Sequence, residues 1–151
     1  MTRARLQTIF YTIAALIALI GLADAAYLTV THLTGEDLVC GSGDCSAVLG
    51  SVYATVAGIP TAAFGALAYF AVFSSALLAA FGYTRARIFL MLVVTVMFSV
   101  TVWLLYVQAF ILHAFCPFCL LSAALTFFLA GIIIATPSTA SQQSEGESTT
   151  P

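Results

Sequence analysis

Residues 85–119 read RARIFLMLVVTVMFSVTVWLLYVQAFILHAFCPFC, and this stretch decides the fold. Between Arg87 and His113 there is no charged side chain. A hydrocarbon core takes about 20 mostly apolar residues to cross, so Ile88–Leu112 reads as a membrane span. The short turn His113–Cys116 then leads directly into a second apolar run, Pro117–Ala135. Working outward, Leu6–Val30 and Thr61–Phe81 meet the same criterion. The expected fold is an all-α membrane protein: a four-transmembrane-helix bundle forming one redox domain over residues 1–136. Composition agrees, with 62% apolar residues, 7% charged and a mean hydropathy of +1.12, against about 45–50% apolar and about 25% charged in soluble domains. A soluble enzyme is excluded, and four arginines with no lysine offer no surface for nucleic acid.

The arginines fix an expected orientation. Arg3 and Arg5 precede the first span, and Arg85 and Arg87 fill the link between the second and third. The positive-inside rule places both segments in the cytoplasm, and an even number of spans returns the C-terminus there. The loop Thr31–Pro60 and the turn His113–Cys116 then face outward from the cell membrane, carrying all four cysteines to the oxidising side, where disulfides persist. A cleaved leader ending near Ala23-Asp24-Ala25 is the competing reading of the N-terminus, but the apolar run continues through Val30 to full spanning length. From Pro137 onward the polar tail, residues 137–151, has too little apolar surface to offset ordering entropy and is expected to be disordered in the cytoplasm.

Two cysteine pairs carry the chemistry. Cys40-Gly-Ser-Gly-Asp-Cys45 is short and glycine-rich, suited either to a mobile thiol shuttle or to a small structural disulfide. After it, Val48, Leu49, Val52, Tyr53 and Val56 recur at helical spacing, predicting a short amphipathic helix in the first outer loop. Ser46 would cap it and Gly58-Ile59-Pro60 would end it, and the helix would lie over the mouth of the bundle. Cys116-Pro117-Phe118-Cys119 opens the fourth span. Residues three apart share a helix face, Pro117 suits the first helical position, and the positive helix end favours a thiolate. A loop pair and a helix-start pair together point to electron relay by thiol–disulfide exchange. A Cys₄ zinc site is the alternative, with a four-residue gap across a glycine-rich loop that is unusual for structural zinc; no metal is expected.

The ordered combination resembles a known family. A paired-cysteine outer loop, then Cys-Ser-x-Val-Leu-x-Ser-x-Tyr-Ala over 45–54, then Gly-Ile-Pro over 58–60 and a closing Cys-Pro-Phe-Cys, is similar to the prokaryotic branch of the vitamin K epoxide reductase family, over about residues 21–130. The bacterial disulfide oxidase that serves DsbA has the two cysteine motifs in the opposite order. The resemblance implies a quinone-dependent thiol oxidoreductase that reoxidises a separate DsbA-like protein of thioredoxin fold. Cys40 and Cys45 would be the shuttle pair, Cys45 would exchange with Cys116, and Cys119 would face the quinone. Ser51 would line or orient the quinone pocket, with Leu49, Tyr53, Phe64, Phe118 and Ser122 as further lining candidates. Thr61 and Ala123 stand where vertebrate members carry Asn and Tyr, which argues against epoxide reduction.

Three other features invite a role. Asp24 is an ionisable group within a span, where function is the default suspicion and a hydrogen bond to a neighbouring span the commoner fate. His113 precedes the Cys motif by three residues and reads either as a proton relay or as an ordinary interfacial histidine. Trp103, Tyr106, Phe110 and Phe115 form an expected interfacial belt, from which a ring could also stack on the quinone.

Overall fold

The computed structural model describes residues 2–35 and 44–136. Helix α1 runs Arg3–Thr34, α2 is Cys45–Leu49, α3 Thr61–Ala80, α4 Thr84–Tyr106 and α5 Pro117–Ala135. A π-helical segment, Val107–Leu112, continues α4, so the third apolar helix extends over Thr84–Leu112. Four helices are therefore long and apolar enough to cross a membrane, as the hydropathy requires. Cys40, Glu36, Asp37 and the tail from Pro137 lie outside the described residues.

The bundle is organised around α1 and α3. Ala14, Ala18, Gly21, Ala25 and Leu28 form a buried stripe on α1 at alternating steps of four and three, facing Tyr69, Val72, Ala76 and Ala79 of α3. Lipid tails are as apolar as these side chains, so close van der Waals packing must hold the helices together, and small residues permit it. Gly21 is the tightest point, since a Cβ there would overlap the Tyr69 ring. Helix α5 packs against α1 and α4. The large apolar residues left exposed, among them Leu16, Ile20, Leu67, Phe70, Leu92 and Phe128, face outward where lipid belongs.

Each connection ends its helix by a recognisable device. Gly35 adopts a left-handed conformation, φ 67°, with its N–H bonded to the Thr31 carbonyl. Between α3 and α4, Gly82 has φ 93°, and the Tyr83 N–H reaches back to the Leu78 carbonyl at 3.1 Å, the six-to-one bond of a glycine C-cap.

The first loop differs from the single amphipathic helix expected through Val56. Helix α2 begins at Cys45, not after a Ser46 cap, and stops at Leu49, with Asp44 as its uncapped N-terminal neighbour. Cys45 and Val48 are buried and Leu49 half-buried, so the amphipathic face exists but lasts little more than one turn. Ser51 is extended (φ −74°, ψ 156°), and its hydroxyl donates to the Val48 carbonyl at 2.7 Å, competing with helix continuation. A 3₁₀ turn, Val52–Ala54, follows, and then a two-stranded antiparallel ribbon, β1 (Thr55–Val56) with β2 (Ile59–Pro60). Ala57 and Gly58, both at positive φ, form its two-residue turn. Val52 and Val56 are exposed and do not continue the helical face. Pro60 then serves as the N-terminal neighbour of α3.

Candidate functional site

Cys116 is the N-cap of α5 in an extended conformation, and Pro117 occupies the first helical position, where its lack of an N–H costs nothing. The first helical bond, from the Leu120 N–H to the Cys116 carbonyl, measures 3.0 Å. Cys116 and Cys119 are both free thiols, hydrogen-bonded to each other. That bond is the main reason the Cys116 thiol is pulled down to about 6; burial opposes the shift, and the N–H groups of Cys119 and Phe118 add to it. The sulfur makes no full capping hydrogen bond, so those N–H groups act by proximity at the positive helix end.

Cys45 is disulfide-bonded and packs with Cys116. The two are 1% and 0% exposed and share a compact cluster with Val48 and Ala114, flanked by Leu49, Leu112, Phe118 and Cys119. Helix α2 brings Cys45 there because its one buried face, Cys45 and Val48, is pressed onto the turn that precedes α5. The loop cysteine and the first cysteine of the helix motif thus meet in a dry pocket. Among the described cysteines, Cys119 alone opens onto the adjoining cavity.

That cavity, about 380 Å³, lies between α1, α3, the Thr84–Leu112 helix and α5, with the α2 segment as one wall. Leu49, Ser51, Tyr53, Phe64 and Ser122 line it, as do Thr61 and Ala123. Phe118 does not; its ring lies 5.5 Å from that of Tyr27, beside the cysteine cluster. The aromatics of the third span are also elsewhere. Trp103, Tyr106 and Phe110 stack in series, with centroids 6.1 and 5.0 Å apart, on the outward face of that helix, and Phe115 is exposed. They form no part of the cavity wall.

The sequence reading passed over Tyr69, Thr126, His32 and Gln108, all of which line the cavity. The Tyr69 hydroxyl donates to the Ser122 carbonyl at 2.8 Å and lies 2.9 Å from Ser122 Oγ and 3.1 Å from Thr126 Oγ1. This knot ties α3 to α5 one turn below Cys119. The signal was present, since a polar side chain inside an apolar span is costly unless it has a use. Asp24 is buried with Oδ2 lacking a hydrogen-bond partner. It does not line the cavity, but its charge acts against ionisation of Cys116. His113 is exposed at φ 47° and closes the π segment, its N–H bonded to the Gln108 carbonyl. Among the described residues no three His, Cys, Asp or Glu side chains converge as a metal site would need.

Comparison with known proteins agrees with this arrangement. A model of the vitamin K epoxide reductase family matches residues 12–134. The chain is also 38% identical over 118 residues to the thiol-disulfide oxidoreductase LTO1 of Arabidopsis thaliana, an alignment covering 70% of this chain and 31% of that protein. It thus spans about a third of the length of this relative. With the match running from the first turns of α1 almost to the end of α5 and including all four cysteines, the chain belongs to the vitamin K epoxide reductase family.

Proposed function

We propose that this chain is a quinone-linked thiol–disulfide oxidoreductase that forms disulfides. It reoxidises a separate, DsbA-like protein of thioredoxin fold through Cys40 and Cys45, passes the electrons to Cys116 and Cys119, and discharges them to a membrane quinone in the cavity. The observation that carries this reading is the sequence of contacts: Cys45 buried with Cys116, Cys116 hydrogen-bonded to Cys119, and Cys119 opening onto the cavity. The name of the Arabidopsis relative supports the thiol–disulfide chemistry.

In this scheme the partner's dithiol reduces the loop pair. The freed Cys45 thiolate attacks Cys116 of an oxidised helix pair, and Cys119 departs as the leaving thiolate. Cys40 then resolves the Cys45–Cys116 bond, which leaves the loop oxidised and the helix pair reduced. The hydrogen bond from Cys119 holds the Cys116 thiol below its usual range, which makes Cys116 a good leaving group when Cys40 resolves the Cys45–Cys116 bond. Quinone supplies a two-electron, two-proton sink: the Cys116/Cys119 dithiol closes to a disulfide and the electrons and protons leave as quinol. The cavity suits a quinone ring because its walls are mostly apolar with a few polar groups, and about 300–1,000 Å³ is usual for small-molecule sites. We place Cys45 and the Cys116 turn on the extracytoplasmic side, on the strength of Arg3, Arg5, Arg85 and Arg87 at the opposite end of the bundle.

The test mixes purified protein with a reduced Cys-x-x-Cys thioredoxin-fold protein and ubiquinone-1, following quinone absorbance and partner thiols together. One quinone lost per disulfide formed is expected, with Cys119→Ala inactive. Thiol exchange without quinone loss would overturn the acceptor, and no exchange at all would overturn the relay.

A further inference from the structure

We propose that the side-chain amide of Gln108 is the hydrogen-bond partner of the acceptor's ring oxygen, and that it makes the cavity selective for rings bearing a carbonyl. This inference rests on the quinone reading above. Gln108 is 5% exposed and lines the cavity, and its Oε1 is sealed from solvent without a hydrogen-bond partner. A buried amide left unsatisfied within an apolar span calls for an explanation. Fold alone does not provide one, because the structural demand at this position is met by the backbone. The Gln108 carbonyl already accepts from the N–H groups of His113 and, at 3.2 Å, Ala114, which closes the π segment. Single-turn π irregularities are frequent at functional sites, and here the widened turn occurs in the helix that bears the unpartnered amide.

Four other hydroxyls on the cavity wall, those of Ser51, Thr61, Tyr69 and Thr126, are already committed. Ser51 donates to the Val48 carbonyl at 2.7 Å, Thr61 to that of Tyr53 at 3.1 Å, and Thr126 to that of Ser122 at 3.0 Å. Tyr69 donates to the Ser122 carbonyl. A hydroxyl has one hydrogen, so each would surrender an internal bond to donate to a ligand. Gln108 surrenders nothing. Its NH₂ can donate to a quinone carbonyl without giving up an internal bond.

The test is isotope-edited infrared spectroscopy of ubiquinone-1, carbonyl-labelled with ¹³C, bound to the full-length protein in detergent, alongside steady-state kinetics. In the wild type one carbonyl stretch should be lowered relative to free quinone, and Gln108→Met should restore it. The variant should raise KM for ubiquinone-1 by about tenfold, the worth of one good hydrogen bond, with kcat changed less. Removal of an unsatisfied polar group should leave the thermal midpoint of quinone-free protein equal or higher. Stoichiometric thiol exchange with the reduced partner, run without quinone, should be unchanged. A wild type that binds and reduces quinone with neither carbonyl shifted overturns the Gln108 assignment without recourse to any variant. An unchanged KM and carbonyl shift in Gln108→Met overturns it as well. A wild type that exchanges thiols but neither binds nor reduces quinone would instead defeat the quinone reading on which the inference stands.

Discussion

Replacing Cys119 by alanine should change the acid strength of Cys116 before it changes anything else. The Cys119 thiol donates the hydrogen bond that contributes most to holding Cys116 near 6, while burial pushes the other way. With Cys119 gone, the N–H groups of Cys119 and Phe118 remain, because residue 119 keeps its backbone; they oppose the burial of a side chain that is 0% exposed. The Cys116 thiol should therefore climb toward the ordinary value of about 8.5. A full return to the ordinary value would lower the thiolate fraction at pH 7 by roughly thirtyfold at most. The sign follows from the acid form: the thiolate is favoured above the lowered value and lost as pH falls through it, so wild-type exchange with a small disulfide should rise through pH 6 and then level off. In Cys119→Ala the rise should move to higher pH. The assay is the ultraviolet absorbance of the thiolate against pH, with Cys116→Ala subtracted as baseline, supported by the ¹³C shift of labelled cysteine Cβ. A midpoint still near 6 in Cys119→Ala would refute the argument and assign the acidity to the start of α5 alone.

Four further outcomes follow from the packing and electrostatics. Gly21→Ala drives a methyl into the Tyr69 ring and should cost about 1–3 kcal/mol, as overpacking does, read as a lower thermal midpoint in detergent. Tyr69→Phe removes only the hydroxyl, and Thr126 keeps its bond to the Ser122 carbonyl, so the loss should be near the ~0.6 kcal/mol average for hydrogen bonds between membrane helices; a larger loss than for Gly21→Ala would reverse the ranking. Asp24→Asn removes a charge that opposes the Cys116 thiolate, and the thiolate midpoint should fall below that of the wild type in the same titration. A membrane-impermeant maleimide should label Cys40 in intact cells after mild reduction; labelling only after permeabilisation would invert the proposed topology.

The four spans were legible because membrane crossing is a one-dimensional constraint. Length and apolarity suffice, and Ile88–Leu112 and Pro117–Ala135 end where the structure ends them. The ends of α1 were less so. Nothing in hydropathy halts a helix at the hydrocarbon boundary, and α1 continues past Val30 to Thr34, where Gly35 takes the left-handed cap. The first loop was misread for a different reason. Val48, Leu49, Val52, Tyr53 and Val56 have helical spacing, but a pattern this short cannot register the local competition at Ser51 or the positive-φ turn at Ala57-Gly58. The periodicity held for one turn, where Cys45, Val48 and Leu49 meet the bundle.

The site divides along the same line. Cys116 and Cys119 were readable because their chemistry is local: a helix start, a proline at its first position and a three-residue spacing fix both their mutual contact and the acidity of the first thiol. What faces them is a property of helices remote in sequence. Tyr69 meets Ser122 and Thr126 across more than fifty residues, and Gln108 enters the cavity wall through a π segment that no local preference in Val107–Leu112 announces. The same separation bears on the order of events. Cys45 and Cys116 are sealed at 1% and 0% exposure, whereas Cys119 is half-buried and borders the cavity. A bulky partner protein cannot reach Cys116 through that packing, and a ring in the cavity meets Cys119 before it meets Cys45. In the proposed relay a quinone therefore meets the helix pair through Cys119 and not the loop pair, which makes direct oxidation of the partner by quinone geometrically remote.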